Sequence, residues 1–329
     1  MMKIDFVVSW VDGSDQLWQA ERKKYSAKAY EDGGPGLYKD LGLFKYWFRT
    51  IEKYAPWVNN IFLITFGHVP NWLNINNSKL KIIKHDEYIP KKFLPTFNSN
   101  VIEINMHRIK ELSEHFVYFC DDMFLNKPIS PDFFFKDNLP CDYIELTNFT
   151  EDKLTLYGKI ISNDTYNIAK TFDFRKVIEL NYDKIINELY TNDINQNNQI
   201  EIKSEYFRGI KLHHNPTAYL KSTFLDIWDT LPGLMEKTSL NRFRNFNDIS
   251  HHMFRCWQLM SGEFIPTSPW ERNAFYDILN DNKIAVDAIL SQKPACICLN
   301  ELQETEPSKI ANIVNAYEAI CPYKSSFEK

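Results

Sequence analysis

Glycine is scarce in this chain, with 10 in 329 residues, while aromatics are abundant at 24 Phe, 17 Tyr and 8 Trp. That balance excludes collagen-like and disordered classes. No apolar run reaches the roughly 20 residues that a membrane-spanning helix needs. The opening Met-Met-Lys-Ile-Asp-Phe-Val-Val is interrupted at Asp5 and too short for a secretory leader. A soluble, cytoplasmic protein is therefore expected. Acids and bases are mixed, the net charge is −5, and without a basic stripe nucleic acid is not an expected partner. The six cysteines (Cys120, Cys141, Cys256, Cys296, Cys298 and Cys321) show neither disulfide nor zinc spacing. Free, buried thiols are the expectation.

A hydrophobic fraction of 44% is enough for the core of one large or two smaller domains. Apolar runs at Ile4–Ser9, Asn60–Thr65, Leu80–Lys84 and His115–Cys120 read as buried strands. Helical patterns separate them, from Ser14 or Asp15 to about Ala29, from Leu41 to Tyr54 and from Val101 to about Leu112. Such alternation predicts an α/β fold with a mostly parallel sheet flanked by helices. Glu31–Gly36 is expected to be a flexible loop. Cys141–Leu146 reads as a further strand, at the sheet edge, and residues 147–206 turn rich in Asn, Asp, Lys and Ile, as in a helical insertion. Helices are then expected at Leu220–Asp229 and Ile249–Ser261, a late buried strand at Ala295–Asn300, and a terminal helix begun by Pro307. Residues 1–146 form the N-terminal α/β half, and residues 207–329 complete the same domain.

Asp121 and Asp122 follow the fourth strand, where an open α/β sheet binds its ligands. Paired acids there can hold a hard cation or take a proton from a hydroxyl. A helix N-cap followed by a dipole-matched acid gives the same pattern. Trp10-Val-Asp12-Gly13-Ser14-Asp15 leaves the first strand in a turn that suits a nucleotide, or is a plain strand-to-helix turn. Lys45 and Arg49, spaced i and i+4, share a helix face and suit either phosphate or solvent. Glu103 and His107 have the same spacing, as in a helical metal pair or a surface ion pair. Lys211-Leu-His213-His214-Asn215-Pro216 is a polar turn with two imidazoles, and Arg242 and Arg244 stand together before a helix.

Taken together, four separated blocks resemble the Stealth family of sugar-1-phosphate transferases. They are Ile4–Asp15; a long block holding Lys45–Arg49, Ile51–Trp57, Val69–Asn74, Leu94–Ser99, His107–Ile109 and the paired aspartates; His214–Pro216 continuing through Arg244 and Asp248; and Cys296–Asn300. The resemblance implies a Rossmann-like or GT-A-like sheet. It also implies transfer of hexose-1-phosphate, of the N-acetylhexosamine kind, from a UDP-sugar donor to a hydroxyl of an oligosaccharide or polysaccharide acceptor. UMP leaves and a phosphodiester forms, in capsular or exopolysaccharide synthesis.

By family position, Asp122 is the implied base, His214 a second catalytic group and Arg244 the phosphate ligand. Asp12, Gly13, Lys45, Arg49, Asn98, Arg108, Arg242, Asp248 and Asn300 are implied substrate contacts. Asp121, with Asp12 or Asp15, is implied to hold Mg²⁺ or Mn²⁺. A peripheral place beside a membrane capsule-assembly complex, at the inner face of the cell membrane, also follows. The family often has Asn before the paired acids; here Cys120 stands there, and no role is expected of it. Two other readings stay open: a conventional metal-dependent glycosyltransferase releasing UDP, and a non-catalytic nucleotide-sugar-binding protein of a capsule assembly complex.

Overall fold

Apolar strands carry the chain repeatedly through one sheet, and the helices between them close over its faces. The computed structural model describes residues 2–26, 38, 41–149, 155–270, 272–278, 282–300 and 307–329. The expected Glu31–Gly36 loop lies outside these residues. Strands β1 (Ile4–Ser9), β2 (Ile61–Thr65), β3 (Leu80–Lys84) and β4 (His115–Cys120) pair in parallel. Helices α1 (Gln16–Tyr25), α2 (Phe44–Tyr54), α3 (His85–Tyr88) and α4 (Ser99–Ile104) connect them. Short strands β5 (Met123–Leu125), β6 (Phe135–Lys136) and β7 (Leu139–Asp142) follow, then helices α5 (Leu156–Thr171), α6 (Phe174–Ile185) and α7 (Asn192–Glu201). Strand β8 (Thr217–Leu220) returns antiparallel to β4, so the central sheet runs β3-β2-β1-β4-β8. The fold is thus mixed α/β with a parallel-rich sheet.

Helices α8 (Lys221–Thr230), α9 (Pro232–Ser239) and α10 (His251–Ser261) come next, with β9 (Ile265–Pro266) and β10 (Asn273–Asp277) after them. Then α11 (Lys283–Ser291), β11 (Cys296–Asn300) and α12 (Pro307–Ile320) end the chain's regular structure. Strands β10, β11 and β5 make one small sheet, and β6, β7 and β9 another. The strand expected at Cys141–Leu146 is β7, which begins and ends earlier and sits in the small sheet, not at the central edge.

Alternation along the strands divides the core in two. Phe6, Val8, Val117 and Phe119 point to the layer that holds α2, including Trp47 and Phe48. Val7, Phe116 and Tyr118 point to the opposite layer, which contains Ile104, Phe224, Met253 and Phe254. Each strand is therefore apolar on both faces, as a sheet covered on both sides demands. Helix α4 stops far short of the expected Leu112. Asn105 ends it, donating from its amide to the Val101 carbonyl and to Ser239 Oγ, and a single 3-10 turn, Met106–Arg108, follows.

Register decides what meets at the sheet's carboxyl edge. Ser9 lies beside Cys120 across β1 and β4, so the Trp10–Asp15 turn and the paired aspartates leave the sheet together. Thr217 lies opposite Tyr118 across β4 and β8. An antiparallel strand enters where its parallel neighbour leaves, so the His213–Pro216 turn arrives at that same edge.

The C-terminal segment is locked by α2. Arg49 is 7% exposed, and its guanidinium meets the Glu328 carboxylate through Nε at 2.8 Å and Nη2 at 2.9 Å. Its Nη1 reaches Glu318 at 3.1 Å and the Cys321 carbonyl at 3.0 Å. Glu328 is 4% exposed, so loss of Arg49 strands a buried charge. Arg49→Met is expected to lower stability by about 3–5 kcal/mol in urea unfolding, and the double variant with Glu328→Met to recover most of it. A loss below about 1 kcal/mol, the range of an exposed pair, contradicts the buried lock.

Candidate active site

The turn after β4 is two residues long. Asp121 and Asp122 form it, and Met123 then starts β5 in a different sheet. No helix begins here, so the N-cap reading of the acid pair is excluded. The backbone is fixed from both sides: the Cys120 amide points to Met123 Sδ, and the Leu299 amide of β11 donates to the Asp122 carbonyl at 2.9 Å. Asp122 Oδ2 lies 3.3 Å from His214 Nε2 and accepts the Cys298 thiol at 3.3 Å. Asp122 Oδ1 is buried and has no hydrogen-bond partner among the described residues. A buried carboxylate oxygen left without a partner is an exception that calls for a group the chain does not itself supply.

Burial by itself would push the His214 imidazole down. The adjoining Asp122 carboxylate outweighs it and holds His214 well above the usual histidine value, with Cys120 contributing in the same direction. Cys120 itself stays a thiol, since burial pushes it up against the opposing pull of His214. Burial and the Asp122 charge push Cys298 up as well. The centre is thus an imidazolium–carboxylate pair between two neutral thiols.

Beneath it runs a polar spine that the sequence did not flag. The Tyr118 hydroxyl sits 2.8 Å from Ser9 Oγ, donates to Glu103 Oε1 at 3.1 Å, and lies 3.9 Å from Cys120 Sγ. Glu103 is buried. Its expected partnership with His107 fails because α4 has already ended. His107 instead packs against Phe224 and Trp228, and burial pushes it down to about 3. The clue to Glu103 was a lone acid among Val101, Ile102 and Ile104. Tyr157 was also missed. It is exposed at the first turn of α5, and its phenol feels the charges of His214 and Arg244, although burial is the main cause of its raised value.

Arg244 approaches from the loop before α10, with Nε and Nη2 on Ser99 Oγ at 3.3 and 2.9 Å. A buried clasp sets that loop. Asp248 Oδ2 accepts from Asn98 Nδ2 at 2.8 Å, from Asn100 Nδ2 at 3.3 Å and from the Asn245 amide at 2.9 Å. Its Oδ1 accepts from Asn241 Nδ2 at 2.6 Å. Asn98 also caps α4 and donates to the Asn241 and Phe243 carbonyls. Both residues are fully buried and bonded to one another, and the loop they hold carries Arg244.

Other expected contacts part from the centre. Arg49 is committed to Glu328 and Glu318, and Lys45 lies over Tyr46, whose hydroxyl bonds Glu318. Neither basic residue of α2 stands with the aspartates, because their shared face meets the C-terminal segment. Arg108 is exposed, stacks on Trp228 at 4.4 Å and bonds Asn105. Arg242 is exposed over Tyr25 at 4.8 Å, and Asn300 donates to Asp277 at the end of β11. Asp12 closes its turn by accepting from the Ser14 amide and hydroxyl, and its own amide donates to His68 Nε2. Asp15 caps α1. Gly13 is needed for space: a Cβ there would stand 2.6 Å from the Tyr38 carbonyl oxygen.

Among the described residues, one group of His, Cys and acidic side chains could hold a metal ion. Cys120, Asp122 and His214 present ligand atoms that all lie within 4.8 Å of one another. Sulfur, oxygen and nitrogen together suit a borderline ion and not Mg²⁺, which takes oxygen. A hard ion fits only the carboxylates of Asp121 and Asp122, one or two being what Mg²⁺ commonly uses with substrate phosphates.

Two family models match the regions of the first two blocks. The model of Stealth protein conserved region 1 matches residues 2–30, and that of conserved region 2 matches residues 37–142. A capsular polysaccharide phosphotransferase WcwK of Streptococcus pneumoniae is 40% identical over 338 residues, covering 100% of this chain and 99% of that protein. The chain belongs to the Stealth family. The receptor polysaccharide phosphotransferase WefC of Streptococcus oralis is 35% identical, with 100% of both chains covered. The exopolysaccharide phosphotransferase cps2G of Lactiplantibacillus plantarum is 36% identical over 99% of this chain and 96% of its own. The solved galactosyltransferase LgtC, in complex with donor and acceptor sugar analogs, overlaps 96% of this chain and 95% of its own at a TM-score of 0.41 and 6% identity, too distant to bear on chemistry. Among the described residues of this Stealth protein, no helix is long and apolar enough to cross a membrane.

The His214–Asp122 pair has a direct signature. The His214 imidazole is expected to remain protonated well above pH 6.5 in an NMR titration, and Asp122→Asn to lower its titration, since burial is then opposed by Cys120 alone. The sign follows from linkage: a raised histidine adds stability that is fully present below the unfolded value and lost as pH rises through the folded one. An unchanged titration in Asp122→Asn contradicts the pairing.

Proposed function

We propose that this chain moves a hexose-1-phosphate, of the N-acetylhexosamine kind, from a UDP-sugar to a hydroxyl of a glycan acceptor. UMP is released and a phosphodiester forms, as part of capsular or exopolysaccharide synthesis. The observation that carries the reading is the Asp122–His214 pair at 3.3 Å, with Asp122 Oδ1 buried and unengaged. Support comes from relatives matched over their whole length and named as polysaccharide phosphotransferases.

The chemistry follows from charge. The acceptor oxygen attacks the phosphorus next to the sugar, its proton passes to Asp122 Oδ1, and the bond to the bridging oxygen breaks with its electron pair leaving on UMP. Phosphoryl transfer depends mainly on positioning and on neutralising the non-bridging oxygens. The His214 imidazolium supplies one positive charge and a proton for the leaving oxygen. Arg244 supplies a planar fork that grips phosphate at two points, aimed by the Asn98–Asp248 clasp. Asp12 and Gly13 hold the uridine end across the first turn, and Arg242 and Asn300 stand at the periphery. Mg²⁺ or Mn²⁺ held by Asp121 would neutralise diphosphate charge. The reading also places the protein in the cytoplasm, peripheral to the membrane where surface polysaccharide is assembled.

Incubation with a panel of UDP-hexoses and acceptor glycans, followed by identification of the nucleotide, tests this directly. UMP is expected, whereas UDP would establish a conventional glycosyltransferase and binding without turnover a non-catalytic protein. Asp122→Asn should lose about two to four powers of ten in kcat. Arg244→Lys should also fall, because a point charge does not reproduce the fork. Full activity in either variant removes that residue from the site.

A further inference from the structure

The sequence shows no zinc spacing, yet the fold assembles zinc-type donors at its centre. We propose that Cys120, Asp122 and His214 form an inhibitory site for a borderline-soft divalent ion of the zinc class. His214 Nε2 and Asp122 Oδ2 are 3.3 Å apart, close to the separation that two ligands adopt at roughly 2.0–2.2 Å from one zinc ion. The Cys120 sulfur completes a trio within 4.8 Å, so a shift of about 1 Å closes three tetrahedral positions and leaves the fourth for solvent or a substrate oxygen.

An outer shell is already in place. Tyr118 Oη lies 3.9 Å from Cys120 Sγ and is itself held by Ser9 and Glu103. The Cys298 thiol holds the same Asp122 oxygen that faces His214. Such second-sphere contacts fix ligand direction and raise affinity. Binding replaces the Cys120 thiol proton and the extra imidazolium proton, both of which pass to solvent.

Inhibition rests on the roles proposed above: an ion bonded to Asp122 and His214 occupies the base and the cationic partner at once. Mg²⁺ and Mn²⁺ do not compete on these terms, since a thiolate selects against hard ions. Cys120 is thus the residue that makes the centre sensitive, though it takes no part in transfer.

The experiment titrates Co²⁺ into the reduced full-length chain and follows the thiolate-to-cobalt charge-transfer band, with Zn²⁺ as competitor. One equivalent of band is expected, displaced by Zn²⁺ and absent in Cys120→Asn and Cys120→Ser. Zn²⁺ affinity should fall by roughly a hundredfold or more in both variants, since even outer-shell losses cost ten- to a hundredfold. Zn²⁺ should abolish transfer by the native chain, reversibly with a chelator, and leave undiminished whatever metal-free activity each variant shows. No band, or an equal band in both variants, overturns the site. Activation by Zn²⁺ overturns the inhibition. A cobalt–sulfur band with transfer undiminished by bound Zn²⁺ also overturns it and removes Asp122 and His214 from catalysis, while UDP as product with Zn²⁺ inhibition intact fails only the phosphotransfer reading.

Discussion

A carboxylate and an imidazole 3.3 Å apart set the character of the whole carboxyl edge of the sheet. Burial alone would strip the imidazole of its charge; the carboxylate beside it lets the imidazole keep it. That is why a partly buried histidine stays cationic here while His107, His251 and His252, which lack such a partner, are all pushed down. The pair exists because of strand direction. A parallel β4 ends in the aspartates, and an antiparallel β8 begins just after the histidine, so residues far apart in sequence exit and enter at one place.

Around that pair the protein separates chemistry from support. Asn98 and Asp248 are as polar as Asp122 and His214, yet they are buried and bonded to one another, holding the loop that carries Arg244. Arg49 is equally charged and equally committed, to the C-terminal segment. The useful distinction is therefore engagement. Asp122 keeps one oxygen without a partner among the described residues, whereas Asp248 uses both.

Much of this was legible in the sequence. The strands at Ile4–Ser9, Leu80–Lys84 and His115–Cys120 appear where their apolar runs predict, and the parallel sheet follows from their alternation with helices. Asp122 and His214 were placed together by family position, which periodicity could not have done. Less legible were the features set by long-range contact. Strand β5 is three residues long, too short to carry a pattern. The early end of α4 depends on Asn105 reaching Ser239, and Lys45 and Arg49 look like phosphate ligands until Glu318 and Glu328 arrive from the far end of the chain. Glu103 looked like half of a surface pair because a continuous helix was assumed beyond Ile104.

The central claim is that attack falls on phosphorus beside the Asp122–His214 pair and not on the anomeric carbon. A UDP-hexose carrying a heavy-oxygen label in the bond between the anomeric carbon and its phosphorus decides it by mass spectrometry of both products. Phosphoryl transfer leaves the label in the glycan phosphodiester. Label recovered on the released nucleotide means that the sugar–oxygen bond broke, and contradicts the account.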